Sequence, residues 1–158
     1  MTYCMAGGAN GGTGILKSTT GRAEGPYVNA TTTDARLTGG IDATLFEDDD
    51  GAVYFTWGRG TTIYRMKDDM TGFADAGRDV QIDPAGLAKA KEMGKGQSAA
   101  FEGASLFKRN GKYYLGGAIF IGGIDRATGR NGRYSSAIMI SDSLYGPYKH
   151  WPEDVACR

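Results

Sequence analysis

The chain has 158 residues, enough for one domain with a hydrophobic core, and its 18 basic and 18 acidic residues give a formal net charge of zero. No basic cluster stands out and no apolar run approaches the roughly 20 residues of a membrane helix, so neither nucleic acid nor a membrane is an expected partner. With 26 glycines, 4 prolines and 11% aromatic residues, the composition favours short strands joined by tight turns and predicts an all-β fold.

The N-terminal part predicts a strand at residues 2–6, a glycine-rich loop at 7–14 and a second strand at 15–20. The glycines resemble those of nucleotide-binding loops, but the remainder of those motifs is absent. A P-loop requires Lys and Ser or Thr directly after its last glycine, whereas Lys17 follows Leu16. The dinucleotide fingerprint also lacks its third glycine, so a hairpin loop is the favoured interpretation.

A β-hairpin is predicted at residues 41–57, where Asp48-Asp49-Asp50-Gly51 forms the turn between two apolar runs. Asp42 opens its first strand. The acidic turn is not interpreted as a calcium loop, because the calcium template requires an acid where Phe46 stands. Turn formation by Asp and Gly accounts for it better.

The same pattern recurs sixty residues later at 101–115, with Glu102 at the start of the first strand and Asn110-Gly111 as the tight turn. Between the two hairpins, residues 84–95 predict a short amphipathic helix that begins at Pro84 and ends at Gly94. We expect this helix to be an insertion near Glu102.

A further repeat joins the two ends of the chain, since Gly25-Pro26-Tyr27 returns as Gly146-Pro147-Tyr148 after about two such periods. Units of this length with about four short strands are typical of propeller blades. The expected organisation is the back half of a blade at 1–38, a blade at 39–98 and a blade at 99–158. Because two and a half blades do not close, we expect a partial propeller whose exposed edges favour self-association.

The register places Asp42 and Glu102 on the innermost strands of adjacent blades, so that both carboxylates are predicted to face one central funnel. Two such carboxylates favour one protonated acid beside an ionised partner, which suits cleavage of a glycosidic bond. Solvated strand caps remain the alternative for either residue alone. His150 is the only histidine and Cys4 and Cys157 lie near opposite ends, so neither a metal nor another cofactor is expected.

At these residues the chain resembles glycoside hydrolase family 43, the five-bladed β-propeller glycosidases. The resemblance rests on residues 41–51, 102–107, 110–115 and 141–148, which together span most of the chain. It implies an inverting hydrolase acting on arabinose- and xylose-containing glycans of plant cell walls. By motif, Asp42 matches the aspartate that tunes the pKa of the acid, and Glu102 matches the general acid. Phe101 is either a sugar contact or a core residue.

The chain also departs from the family pattern. Ala43 and Ala104 stand where the family often has proline, and no residue matches the catalytic base, an aspartate of the first blade. Neither Asp34 nor Asp125 opens a strand in the repeat register. Since inversion requires a base roughly 6.5–9.5 Å from the acid, we expect little or no hydrolysis by this chain alone. The alternatives are a non-catalytic carbohydrate-binding propeller and, less favoured, a protein-interaction propeller.

Overall fold

The computed structural model describes residues 1–5, 11–31, 36–85, 88, 102–121 and 133–150. These residues form three antiparallel sheets in which sequential strands are neighbours, in the orders β1-β2-β3, β4-β5-β6-β7 and β8-β9-β10-β11. The prediction of an all-β fold is confirmed. The strands are β1 (Thr2–Met5), β2 (Gly12–Ser18), β3 (Tyr27–Asn29), β4 (Thr44–Glu47), β5 (Val53–Thr56), β6 (Thr62–Arg65), β7 (Arg78–Asp79), β8 (Glu102–Arg109), β9 (Lys112–Ile121), β10 (Arg133–Ser141) and β11 (Lys149–His150).

Both predicted hairpins are present, and their turns form as the sequence indicates. Asn110 and Gly111 join β8 to β9 with φ angles of 51° and 73°, the left-handed pair that a two-residue turn requires. In the acidic turn between β4 and β5, the Asp48 carboxylate accepts a hydrogen bond from the Asp49 amide at 2.8 Å, and the Asp50 carboxylate accepts one from the Ala52 amide at 2.9 Å. Turn formation therefore accounts for these acids, as predicted.

The N-terminal strands differ from the prediction in one respect. β2 begins at Gly12, inside the stretch that the glycines predicted to be loop. Gly14 pairs with Tyr3 across the β1–β2 ladder, and a Cβ built on Gly14 would lie 2.4 Å from Cζ of the Tyr3 ring. The glycine there admits an aromatic ring onto the sheet. Of the helix predicted at 84–95, only residues 84, 85 and 88 are described, all in helical conformation.

Apolar side chains between the sheets form two clusters of buried residues. One lies between the second and third sheets, and the other joins the first sheet to the second. The outer end of the second sheet is also attached to the third, because the Gln81 amide donates to the Tyr145 carbonyl and the Tyr148 amide donates to the Gln81 carbonyl, each at 2.8 Å. The first cluster contains Phe46, Ile63, Ala104, Leu106, Leu115, Ala137, Met139, Leu144 and Tyr148, and the second contains Ile15, Phe55 and Met66.

An ionic contact ties the turn of the first hairpin to the second hairpin. The ammonium of Lys108 lies 2.6 Å from Oδ1 of Asp48, and the Tyr113 hydroxyl donates to Oδ2 of the same carboxylate at 2.7 Å. The side chains of Lys108 and Asp48 are only 18% and 11% exposed. Burial raises the pKa of Asp48, but the hydrogen bonds from Lys108 and Tyr113 outweigh it, so this pKa lies below its ordinary value.

We predict that Asp48→Asn lowers the free energy of unfolding by about 1–2 kcal/mol at pH 7, because the Tyr113 hydroxyl and the Lys108 ammonium lose a charged acceptor. A carboxylate whose pKa is lowered in the folded state stabilises the fold above its ordinary pKa of 3.8, and this contribution disappears as the pH falls. The deficit of the variant should therefore shrink at pH 2.5. Urea unfolding at the two pH values measures it.

The matched control is Asp142→Asn, which removes the ion pair between Lys112 and an 83% exposed Asp142. Exposed pairs contribute roughly 0–1 kcal/mol, so this variant should unfold nearly as the unmodified chain does. Equal losses in the two variants would contradict a special role for Asp48.

Candidate active site

Asp42 adopts an uncommon backbone conformation two residues before β4. Its φ angle is 59°, in the left-handed region that costs a non-glycine residue free energy, and its side chain is half-buried. Strained residues of this kind persist only where the surrounding structure fixes them, and they cluster at functional sites. Among the described residues Met70 and Asn110 are left-handed as well, so the conformation of Asp42 supports a functional role only together with the contacts that hold it.

The backbone around Asp42 is held at four successive carbonyl groups, which we call the carbonyl clamp (residues 40–43). Two of the four accept side-chain hydroxyls from the first sheet, and the other two share one amide from the turn between β5 and β6. This explains how the left-handed conformation is maintained. In order, Gly40 accepts from Oγ1 of Thr13 at 2.9 Å, Ile41 and Asp42 accept from the Gly58 amide at 2.9 and 3.2 Å, and Ala43 accepts from Oγ1 of Thr2 at 3.1 Å.

Glu102 is the first residue of β8, with an exposed side chain, and a β-bulge follows it immediately. Glu102 pairs with Ala118 and Ser105 pairs with Gly116, so β8 has two residues where β9 has one. Gly103 lies in the bulge with a φ angle of 66°. Bulges bend a strand and redirect its side chains, and they are common next to active sites. The bulge therefore determines how the segment that carries Glu102 leaves the sheet.

The turn formed by residues 57–60 lies between the two carboxylate-bearing segments. The Gly58 amide reaches Asp42, while the Gly58 carbonyl accepts the Ala104 amide at 3.0 Å. Gly60 packs closely against the same strand, since a Cβ on Gly60 would lie 2.6 Å from Cβ of Ala104. A depression of about 260 Å³ opens beside this turn, lined by Trp57, Gly58, Arg59, Thr61 and Thr62.

Trp57 is held in an aromatic group rather than free in this depression. Its ring stacks on Tyr64 with 5.0 Å between centroids and on Phe73 with 6.2 Å. Gly40 approaches its edge so closely that a Cβ there would lie 2.0 Å from Cδ1 of the indole. The indole thus packs against Gly40, the first residue of the carbonyl clamp.

Asp42 and Glu102 are the predicted site residues that the structure describes. Asp42 bonds to the 57–60 turn through its carbonyl, and Glu102 lies two residues before Ala104, whose amide bonds to the same turn. Phe101, Asp34, Asp125 and Cys157 lie outside the described residues, whereas Cys4 is exposed on β1.

Within the described ranges, no cluster of three or more His, Cys, Asp or Glu side chains could hold a metal. In that same part of the chain, no helix is long and apolar enough to cross a membrane.

The sequence analysis did not identify the 57–60 turn as part of the site. Its role depends on backbone groups, which no side-chain pattern reports. The signal present in the sequence was the pair of glycines, Gly58 and Gly60, shortly after the second strand of the first hairpin. Glycine is favoured where the backbone is left-handed, and both residues have positive φ angles (56° and 65°).

We predict that Asp42→Gly is more stable than Asp42→Ala by about 1 kcal/mol, because only the alanine variant pays for the left-handed conformation. Both variants remove the carboxylate, so the difference isolates the backbone. The pair Glu102→Gly and Glu102→Ala is the control: at an ordinary strand position the glycine variant should be no more stable than the alanine variant. Thermal unfolding of the four variants tests this, and a less stable Asp42→Gly would contradict strain at Asp42.

Known proteins resemble this chain in sequence and in fold. The model of the family described as glycosyl hydrolases family 43 matches residues 1–158. The β-D-galactofuranosidase xynD of Aspergillus niger is 32% identical over 154 residues, a match that covers 91% of this chain and 38% of the fungal protein. The chain thus spans well under half the length of that relative.

Solved structures show the same relationship. The GH43 protein BlXynB of Bacillus licheniformis is 26% identical with a TM-score of 0.57, covering 89% of this chain and 23% of that one. A family 43 arabinoxylan arabinofuranohydrolase of Bacillus subtilis, solved in complex with cellotetraose, is 23% identical with a TM-score of 0.59, covering 90% and 31%. These likenesses confirm the prediction that the sheets are a portion of a β-propeller.

The family model matches the chain from its first residue to its last, and the sheets align with propeller structures of the same family. The protein therefore belongs to glycosyl hydrolases family 43, whose members are glycosidases.

Proposed function

We propose that this chain carries two functional carboxylates of an inverting glycosidase that acts on arabinose- or xylose-containing plant cell-wall glycans. Glu102 is the general acid, and Asp42 is the ionised carboxylate that tunes and orients it. One observation supports this assignment above the others. A strained Asp42 is connected through a single residue, Gly58, to the bulged strand that begins with Glu102.

Each carboxyl group has a separate part in the proposed reaction. Protonated Glu102 donates its proton to the glycosidic oxygen as the bond to the anomeric carbon breaks. Ionised Asp42 stabilises the positive charge that develops on the sugar ring, and its proximity favours the protonated form of the acid. Water attacks the opposite face with the help of a base, and we assign no residue of this chain to that role.

The substrate proposal draws on the names of the relatives as well as on the site. One relative is named a galactofuranosidase and another an arabinoxylan arabinofuranohydrolase, so both names refer to furanosides. The depression beside the 57–60 turn, at about 260 Å³, is slightly smaller than typical ligand pockets of 300–1,000 Å³ and is of the size of a single sugar unit. We propose an arabinofuranoside as the first substrate to test, followed by a xyloside and a galactofuranoside. Phe101 stays a proposed sugar contact.

The experiment measures cleavage of paired arabinofuranosides that have a poor alkyl or an activated dinitrophenyl leaving group, with and without azide. Azide attacks without needing a base, so it replaces base and water together and forms a glycosyl azide of inverted configuration. We expect azide to yield this product from the chain. Glu102→Gln should lower the rate on the poor leaving group by about 10²–10⁴-fold and barely change the rate on the activated one.

Three outcomes are informative. Equal loss on both leaving groups would argue against general acid catalysis by Glu102. Hydrolysis without azide would show that the chain itself supplies a base. Binding of oligosaccharides with no cleavage under either condition would favour the non-catalytic carbohydrate-binding alternative. Glu47→Gln, an exposed glutamate at the opposite end of β4, is the matched control and should change none of these rates.

We also propose that copies of the chain associate through exposed edges of the sheets. β3 is an edge strand of the first sheet, and Val28 on it is 51% exposed. Charged residues on an edge strand block pairing, so Val28→Lys should shift the chain toward the monomer in sedimentation experiments. Phe107→Lys applies the same test to the third sheet, since Phe107 is 42% exposed on its edge strand β8. A monomeric unmodified chain at all concentrations would contradict the proposal.

A further inference from the structure

One residue, Gly58, connects the two segments that carry the proposed catalytic carboxylates. Its amide donates to the carbonyls of Ile41 and Asp42 at 2.9 and 3.2 Å, and its carbonyl accepts the Ala104 amide at 3.0 Å. Asp42 leads into β4 of the second sheet, whereas Ala104 lies on β8 of the third. The backbone path from Asp42 to the strand of Glu102 thus consists of two hydrogen bonds and one residue.

The Ala104 amide lies in the β8 bulge, on the edge strand of the third sheet, where it is available for this contact. In a regular antiparallel ladder an amide at this point bonds to β9 or points to solvent. Here Gly103 and Ala104 together oppose only Gly117, so the ladder is interrupted between Glu102 and Ser105. The Ala104 amide bonds instead to Gly58, which belongs to the second sheet's β5–β6 turn. The same irregularity therefore redirects Glu102 and attaches its strand to the turn.

We propose that Gly58 is a positioning residue that sets the separation and relative orientation of Asp42 and Glu102. This inference rests on the proposed function of that pair. Gly58 contacts only the backbone of the segments that carry the carboxylates and has no side chain with which to touch a substrate. Its effect on the reaction acts through the geometry of the two acids.

A glycine is needed at this position because of conformation rather than space. Gly58 has a φ angle of 56°, and a Cβ built on it would meet only the Ile41 carbonyl oxygen, at 3.9 Å. Asparagine tolerates the left-handed region, whereas a β-branched residue does not. Gly58→Asn should therefore preserve the turn, and Gly58→Val should move it. Gly60 is a poorer probe, because any side chain there collides with Ala104.

The experiment measures electrostatic coupling between the two carboxyl groups by carbon-13 NMR of the labelled full chain. The pH midpoint of the Glu102 resonance is recorded in the unmodified chain and in the Asp42→Asn variant. The proposed function requires the two carboxyl groups to interact, and removing a negative charge favours ionisation of its neighbour, so Asp42→Asn should lower this midpoint. Arg59, the charged residue of the turn, is unchanged throughout.

The same pair of measurements is then repeated in three backgrounds. We expect Gly58→Asn to retain most of the shift and Gly58→Val to lose more than half of it. Gly111→Val is the matched control, because Gly111 is also left-handed with φ 73° and open space around it, but lies in the hairpin turn at the far end of β8. It should destabilise the chain without changing the shift.

Two results would overturn different parts of the argument. A shift that is present but equally large in Gly58→Val would refute the positioning role and leave the proposed function intact. No shift in any background would show that the two carboxylates do not interact, which removes the proposed function as well. If Gly58→Val does not fold, Gly58→Ala replaces it, and exchange of the Ala104 amide should then accelerate about tenfold or more relative to the Leu115 amide. Unchanged exchange would also refute the inference.

Discussion

The carbonyl clamp at residues 40–43 is the constraint on which the arrangement of the site depends. A left-handed aspartate is unstable in isolation, and a single hydrogen bond contributes only about 0.5–1.5 kcal/mol. Hydrogen bonds from three donors to the four carbonyls together exceed the roughly 1–2 kcal/mol cost of one left-handed residue. Because the donors come from the first sheet and from the β5–β6 turn, the conformation of Asp42 requires that both be docked. The site is therefore a consequence of sheet packing rather than of local sequence.

The contact between the second and third sheets is fixed near both ends of β4 and β8. At one end, the Gly58 carbonyl holds the Ala104 amide, and at the other, Lys108 and Tyr113 hold the Asp48 carboxylate. Buried apolar side chains fill the space between these two points. Two attachments and a packed layer leave little freedom for β4 to slide or tilt against β8. Such rigidity suits a pair of acids whose separation determines their chemistry.

The sequence predicts the parts of this structure that depend on side-chain patterns. The two hairpins follow from their apolar runs and from the Asp-Gly and Asn-Gly turns, and the sixty-residue period correctly indicated a propeller architecture. The acidic turn at Asp48 was predicted as a turn only. Its ion pair with Lys108 joins residues one full period apart, and a local pattern does not show which lysine docks against it.

The structural features that the sequence did not predict depend on backbone amides and carbonyls. The bulge at Gly103, the left-handed Asp42 and the contacts of Gly58 are relations between amides and carbonyls, and every residue type except proline has both groups. The early start of β2 has a similar origin, because it depends on the Tyr3 ring covering Gly14. A glycine in the sequence signals that such a contact is allowed without saying which partner it meets.

These backbone features make the surroundings of the two acids different, although the sequence repeat predicts equivalent positions for them. The structure corrects the prediction that Asp42 opens a strand, since it lies two residues before β4 in a left-handed conformation, whereas Glu102 is the exposed first residue of β8 and a bulge follows it. A catalytic pair of carboxyls needs unequal environments so that one remains protonated beside the other. Equivalent positions of a perfect repeat would give both acids the same environment. The bulge and the clamp break that equivalence at the two residues where the proposed chemistry requires a difference.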